Sequence, residues 1–263
     1  MVQLSPRPGA PVPDARSADH RGDPGRRGDP VSRLADRIAG AGAGPLLTWY
    51  RGDARVELSA RTVGTWVAKT VHLMAEEGVG AGDLVHLSVL ARRPMHWASC
   101  CWLLACWWSG ALPSVRPEDA GSAALAVCGP DPSGTDPDVP LVQCSLTPLA
   151  GPCQDPVPGA IDFAEALAMP DEMPAAHPAA GSEHWLEASR PLTGDDLAGA
   201  EPASDALLLM APAESSGPGP TPLRIAELLA GCLIGGGSLV LVESLPAGLT
   251  AGELAAQERA RPA

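Results

Sequence analysis

Apolar residues along this chain gather in short runs between turn residues, and two stretches repeat the same order of runs. In the first, Leu84 to Leu90 is bounded by Gly82 and Pro94, the pattern of a buried strand. Trp97 to Trp108 follows and is apolar on every side, so the spacing predicts a helix that must be covered all round. Pro94 suits the first turn of that helix, and Gly110 suits the residue past its end. Ala111 to Val115 reads as the next strand. In the second stretch, Ala206 to Met210 predicts a strand. Pro222 opens a helix through Leu223, Ile225, Leu228, Leu229 and Leu233, and Gly235-Gly236-Gly237 ends it. Ser238 to Val242 is another strand. Each unit is entered by an acidic residue, Asp83 or Asp205, and each leaves its helix through glycine, which implies two pseudo-equivalent β-α-β halves. The expected fold class is α/β, a layered, largely parallel sheet flanked by helices.

The remaining runs fill in the outline. Val31 to Ala39 predicts a short amphipathic helix. Leu46 to Arg51 and Ala54 to Leu58, joined by Gly52-Asp53, predict an N-terminal β-hairpin. Ser59 is a good N-cap for a helix whose apolar stripe is Val63, Trp66, Val67, Thr70, Val71 and Met74. Lys69 lies off that stripe and is expected in solvent. Ala123 to Cys128 and Val139 to Cys144 are further strand candidates, and Ile161 to Ala168 a short helix. The expected organisation is a disordered tail over 1–32, a first α/β half over 33–128, a Pro/Gly-rich acidic connector with short elements over 129–204, a second half over 205–245, and a C-terminal tail or helix over 246–263.

Composition narrows the function classes. The net charge is −13, and Lys69 is the one lysine. Nucleic-acid binding needs clustered Lys and Arg and is not expected. Gly129 to Asp205 holds fourteen acidic residues against Arg190 alone. Seven cysteines without a secretory n-region suggest a cytoplasmic chain with reduced thiols. Cys100, Cys101 and Cys106 share one predicted helix at a spacing that suits packing and not zinc. The apolar run from Trp97 is too short for a bilayer, which needs about twenty residues, so no membrane span is expected. The Arg-Gly-Asp triplets at 21 and 27 read as chance in a tail of this composition. There is no Gly-x-Ser-x-Gly elbow and no His-Glu-x-x-His. His20, His72, His86, His96, His177 and His184 are scattered; His86 reads as a packed strand residue, and His184-Trp185 beside Glu183 and Glu187 as a polar rim.

Three segments carry a resemblance. They are Leu58-Ser59-Ala60-Arg61-Thr62-Val63, then Gly78-Val79-Gly80-Ala81-Gly82-Asp83-Leu84-Val85, then Leu104-Ala105-Cys106-Trp107-Trp108-Ser109-Gly110-Ala111 with Pro113. Over about 46–115 the chain resembles the N-terminal part of the adenylate-forming (AMP-binding, acyl-CoA synthetase-like) enzymes, and 205–242 resembles a later part more weakly. The outline as a whole is similar to a short, uncharacterised actinobacterial group of that family, a truncated or degenerate form.

The resemblance implies ATP held by a Thr/Ser/Gly loop that carries a lysine. The corresponding stretch is Ser215-Ser216-Gly217-Pro218-Gly219-Pro220-Thr221-Pro222-Leu223-Arg224. Proline replaces hydroxyl residues and removes N–H donors, and Leu223 stands where the lysine would be. The family's catalytic lysine, in a C-terminal lid, has no counterpart after Lys69. Ser215, Ser216, Gly217, Gly219 and Thr221 are therefore the candidate degenerate phosphate loop. No catalytic residue, metal or cofactor is expected, with ATP or AMP as the alternative. The expected function is a non-catalytic adenylation-like domain of unknown ligand. One alternative is a residual nucleotide- or acyl-adenylate-binding ligase-like protein completed by a partner chain. The other is an assembly protein, a homo- or hetero-oligomer, using the Trp-rich helix.

Overall fold

The structure, a computed structural model, describes residues 29–40, 42–177, 183–212 and 219–263. Of the tail expected over 1–32, residues 1–28 lie outside the described residues. Helix α1 (Pro30–Ala39) begins within the stretch expected as tail, because Asp29 caps it by accepting from the N–H groups of Val31 and Ser32, and Pro30 pre-sets its first turn. Strands β1 (Pro45–Arg51) and β2 (Ala54–Ser59) form the hairpin. Gly52 turns it with φ +55, a left-handed conformation that suits glycine. Helix α2 (Ala60–Glu76) follows, with Ser59 accepting from the Thr62 N–H at 3.1 Å.

The first predicted β-α-β unit is β3 (Leu84–Leu87), α3 (Ser88–Arg92), α4 (Trp97–Ser109) and β4 (Leu112–Ser114). The expected strand to Leu90 therefore ends at Leu87, where the chain turns into α3. Pro94 does not open α4, since His96 is its N-cap; Gly110 ends it with φ +76. Then come β5 (Leu125–Cys128), β6 (Leu141–Gln143), β7 (Ile161–Asp162), β8 (His184–Leu186), β9 (Leu192–Thr193) and α5 (Gly194–Ala198). The second unit is β10 (Ala206–Met210), α6 (Pro222–Gly235) and β11 (Ser238–Ser244), followed by α7 (Ala251–Gln257) and β12 (Ala260–Pro262).

The parallel arrangement is built as two five-stranded sheets. One has the order β4-β3-β5-β6-β7, all parallel. The other has the order β12-β10-β11-β1-β2, antiparallel only at the hairpin. The hairpin thus joins the sheet of the last third: Leu47 pairs with Leu239 and Trp49 with Leu241. Every residue of α4 from Trp97 to Trp108 is buried. The Trp107 indole N–H donates to the Trp185 carbonyl at 2.7 Å, and that of Trp108 to the Pro174 carbonyl at 2.9 Å. None of the four tryptophans of this helix is left on the surface. The cysteines of α4 are packed likewise, and burial pushes the Cys100 thiol up to about 12.

Lys69 also departs from expectation. The segment after β7 folds back over α2, and Lys69 Nζ donates to the carbonyls of Leu167 at 3.0 Å and Met169 at 2.6 Å and pairs with Asp171. Its side chain is 13% exposed. Among the described residues no helix is long and apolar enough to cross a membrane.

The C-terminal half of α6 is glycine-lined for a reason. A Cβ on Gly231 would sit 2.4 Å from the Glu201 carbonyl oxygen, and one on Gly235 would sit 2.3 Å from the Ala203 nitrogen. Backbone cannot yield cheaply, so overpacking of about 1–3 kcal/mol is expected there. Gly252, in α7, has open space around a Cβ. Urea denaturation should therefore show Gly235→Ala losing stability and Gly252→Ala gaining up to about 1 kcal/mol; equal effects would contradict the packing.

Candidate functional site

The largest cleft described, about 670 Å³, opens at the carboxyl ends of β1, β10 and β11. Ligands of open α/β sheets characteristically bind at that end. Its walls are Arg51 at the end of β1, Ala211 after β10, Glu243 in β11, the Gly219–Pro222 turn entering α6, and Ala91–Met95 at the end of α3 and the turn after it, which follow β3 of the other sheet. The cleft is thus built where the two sheets meet.

Its charges are unequal. Arg92 is paired with Asp131, and Arg93 with Glu243, at 3.2 Å from Nε to Oε1. Arg51 makes no ion pair or side-chain hydrogen bond among the described residues. Among the described residues one cation is therefore left over in a cleft that also receives the N-terminus of α6. That terminus is partly used up: Pro222 has no N–H, and Thr221 Oγ1 accepts from the Arg224 N–H at 3.2 Å.

Of the candidate loop residues, Gly219 and Thr221 line the cleft, while Ser215, Ser216 and Gly217 lie outside the described residues. Leu223 is partly buried against the main core. His184 and Glu187 meet each other away from the cleft, where Glu187 also accepts from Arg116 at 3.3 Å. His86 is buried in β3. Among the described residues, no group of three or more His, Cys, Asp or Glu is arranged to hold a metal. Arg51, Arg93 and Glu243 escaped sequence reasoning. Their signal was position: Arg51 and Glu243 sit where buried apolar strands run out at a carboxyl end, and Arg93 is the C-cap of α3.

Directly behind Met95 and Arg93, His96 is fully buried against Trp49, with ring centroids 4.7 Å apart. Burial, then the charges of Arg93 and Arg51, lower its pKa to about 3, so the ring is neutral.

This geometry has counterparts among known proteins. No family model matches the chain. A Mycobacterium tuberculosis (strain ATCC 25618 / H37Rv) protein, described as a TIGR03089 family protein, is 36% identical over 112 residues, which is 41% of this chain and 38% of the relative. An acyl-CoA synthetase of Brucella canis superposes with a TM-score of 0.62 at 19% identity, over 87% of this chain and 45% of its own. A benzoate CoA ligase of Burkholderia xenovorans LB400 gives 0.60 at 12%, over 87% and 47%. The chain has the adenylate-forming fold of acyl-CoA synthetase N-terminal domains. It spans less than half the length of these synthetases. The identities to these structures are too low to carry an activity across.

His96 also sets a pH dependence. Its folded pKa lies below the unfolded value of 6.5, so the unfolded chain binds the extra proton between pH 6.5 and about 3. Its contribution to stability is whole above pH 6.5 and falls with acidification, by about 1.4 kcal/mol per pH unit at most. Urea midpoints from pH 7 to 4.5 should fall less steeply in His96→Asn, which keeps an acceptor at the N-cap. Parallel slopes would refute the assignment.

Proposed function

We propose that this chain is a non-catalytic binding domain of the adenylate-forming fold, holding an anionic ligand of the nucleotide-phosphate class in the Arg51–Arg93–Gly219 cleft. The observation that carries the reading is Arg51, a cation with no ion-pair partner among the described residues, at the carboxyl end of a parallel strand, opposite the start of α6. The anion would accept from Arg51 and lie against the Gly219 turn, with Glu243 keeping Arg93 oriented.

The non-catalytic part rests on what stands near the cleft. By resemblance, phosphate activation needs a lysine at the position of Leu223, and Leu223 packs on the core. Lys69, the one lysine of the chain, is committed to the Leu167–Asp171 segment. A fixed cation such as Arg51 can hold the anion in the ground state, and binding of that kind leaves the extra charge of the transition state unmatched.

Calorimetric titration with Mg-ATP and with inorganic pyrophosphate tests the binding, and pyrophosphate exchange with a panel of carboxylic acids tests the chemistry. Binding that weakens about tenfold in Arg51→Ala, with no exchange, is the expected result. Acid-dependent exchange would overturn the non-catalytic reading. Affinity indifferent to Arg51→Ala would overturn the site.

A further inference from the structure

Beyond the wall of the cleft, a second pocket lies closed between the start of α4 and the loop that follows β6. Its lining includes His96, Trp97, Leu146, Ala150 and Phe163. It has essentially no free volume, too little for a water molecule, which needs roughly 10–15 Å³. Yet two hydrogen-bond donors there have no acceptor among the described residues. His96 Nδ1 accepts from the Ala98 N–H at 3.2 Å, so the neutral ring carries its proton on Nε2. Among the described residues neither that Nε2–H nor the Trp97 indole N–H meets an acceptor with hydrogen-bond geometry, although both are buried. The Leu146 carbonyl acts on the ring without closing such a bond. Buried donors are nearly always paired, and leaving one unpaired is costly.

The cover over these donors is unusual. In the 145–151 loop, Leu146 has φ 54 and Ala150 has φ 48, left-handed conformations that residues with a side chain seldom hold. The loop is bonded to itself: Ser145 Oγ donates to the Gly151 carbonyl at 2.6 Å, and the Gly151 N–H donates to Thr147 Oγ1 at 2.9 Å. At its crest, Leu149 is 83% exposed. An internally bonded loop with strained residues near both ends can lift as a unit, the strain being released at the hinges.

We propose that this is a ligand pocket, held shut by the 145–151 loop, for a small uncharged molecule with an apolar body and one carbonyl oxygen. The oxygen accepts from His96 Nε2–H and the Trp97 indole N–H, and the apolar body lies against Phe163, Leu146 and Ala150. A carboxylate is a poor occupant, because the two donors are neutral and a buried charge needs a counter-charge. Arg51 and Arg93 line the cleft and not this pocket. The proposal is independent of what the cleft binds.

The test is a titration of full-length protein, labelled with 15N at tryptophan, using acetophenone as probe and ethylbenzene as its oxygen-free control. Acetophenone should move the Trp97 indole resonance saturably, and ethylbenzene should bind about tenfold more weakly and leave that proton unshifted. Trp97→Phe assigns the resonance. Ala164→Leu, at a half-buried lining position, should weaken the acetophenone response severalfold and serves if Trp97→Phe does not fold. No indole shift with acetophenone, the same shift with both probes, or a response unchanged in Ala164→Leu would overturn the proposal.

Discussion

The covering of α4 is the constraint on which the rest of this structure depends. A helix that is apolar all round has no face to offer water, so other elements must close on it from every direction. Here α2, β1, β3 and β4 all touch it, and the segments at Pro174 and Trp185 take the two indole N–H groups at its end. Burying one large side chain is worth about 1.5–3 kcal/mol, and four tryptophans lie on this one helix. The two sheets share one main core because both contribute residues around α4.

That shared core is what brings the cleft into being. Sheets packed on a common helix bring their strand ends to a common edge, and the edge carries backbone and side-chain groups with no further strand to meet them. Arg51 and Glu243 stand at this edge on neighbouring parallel strands, while Arg93 reaches it from the other sheet. Glu243 neutralises Arg93 and, among the described residues, leaves Arg51 without a counter-charge, which is the observation the proposed anion site rests on.

Much of this was legible in the sequence. The two β-α-β units, the hairpin, Ser59 as an N-cap and Gly110 as a helix stop follow from apolar spacing and cap chemistry, which act over a few residues. Leu84 to Leu90 shows the limit: an apolar run is consistent with strand or helix, and the chain turns from β3 into α3 inside it. Lys69 shows another. Its place off the apolar stripe suggested solvent, but a segment about a hundred residues later supplies the carbonyls that hold it.

The sequence by itself therefore determined most of the elements and their parallel α/β character, since each is a property of neighbouring residues. Only the tertiary structure decided that the hairpin pairs with β11, that the tryptophans are all consumed by packing, and that Arg51, Arg93 and Gly219 face one space. Those pairings join residues up to about two hundred positions apart. They are chosen by which surfaces can be covered together, and no local pattern records that choice.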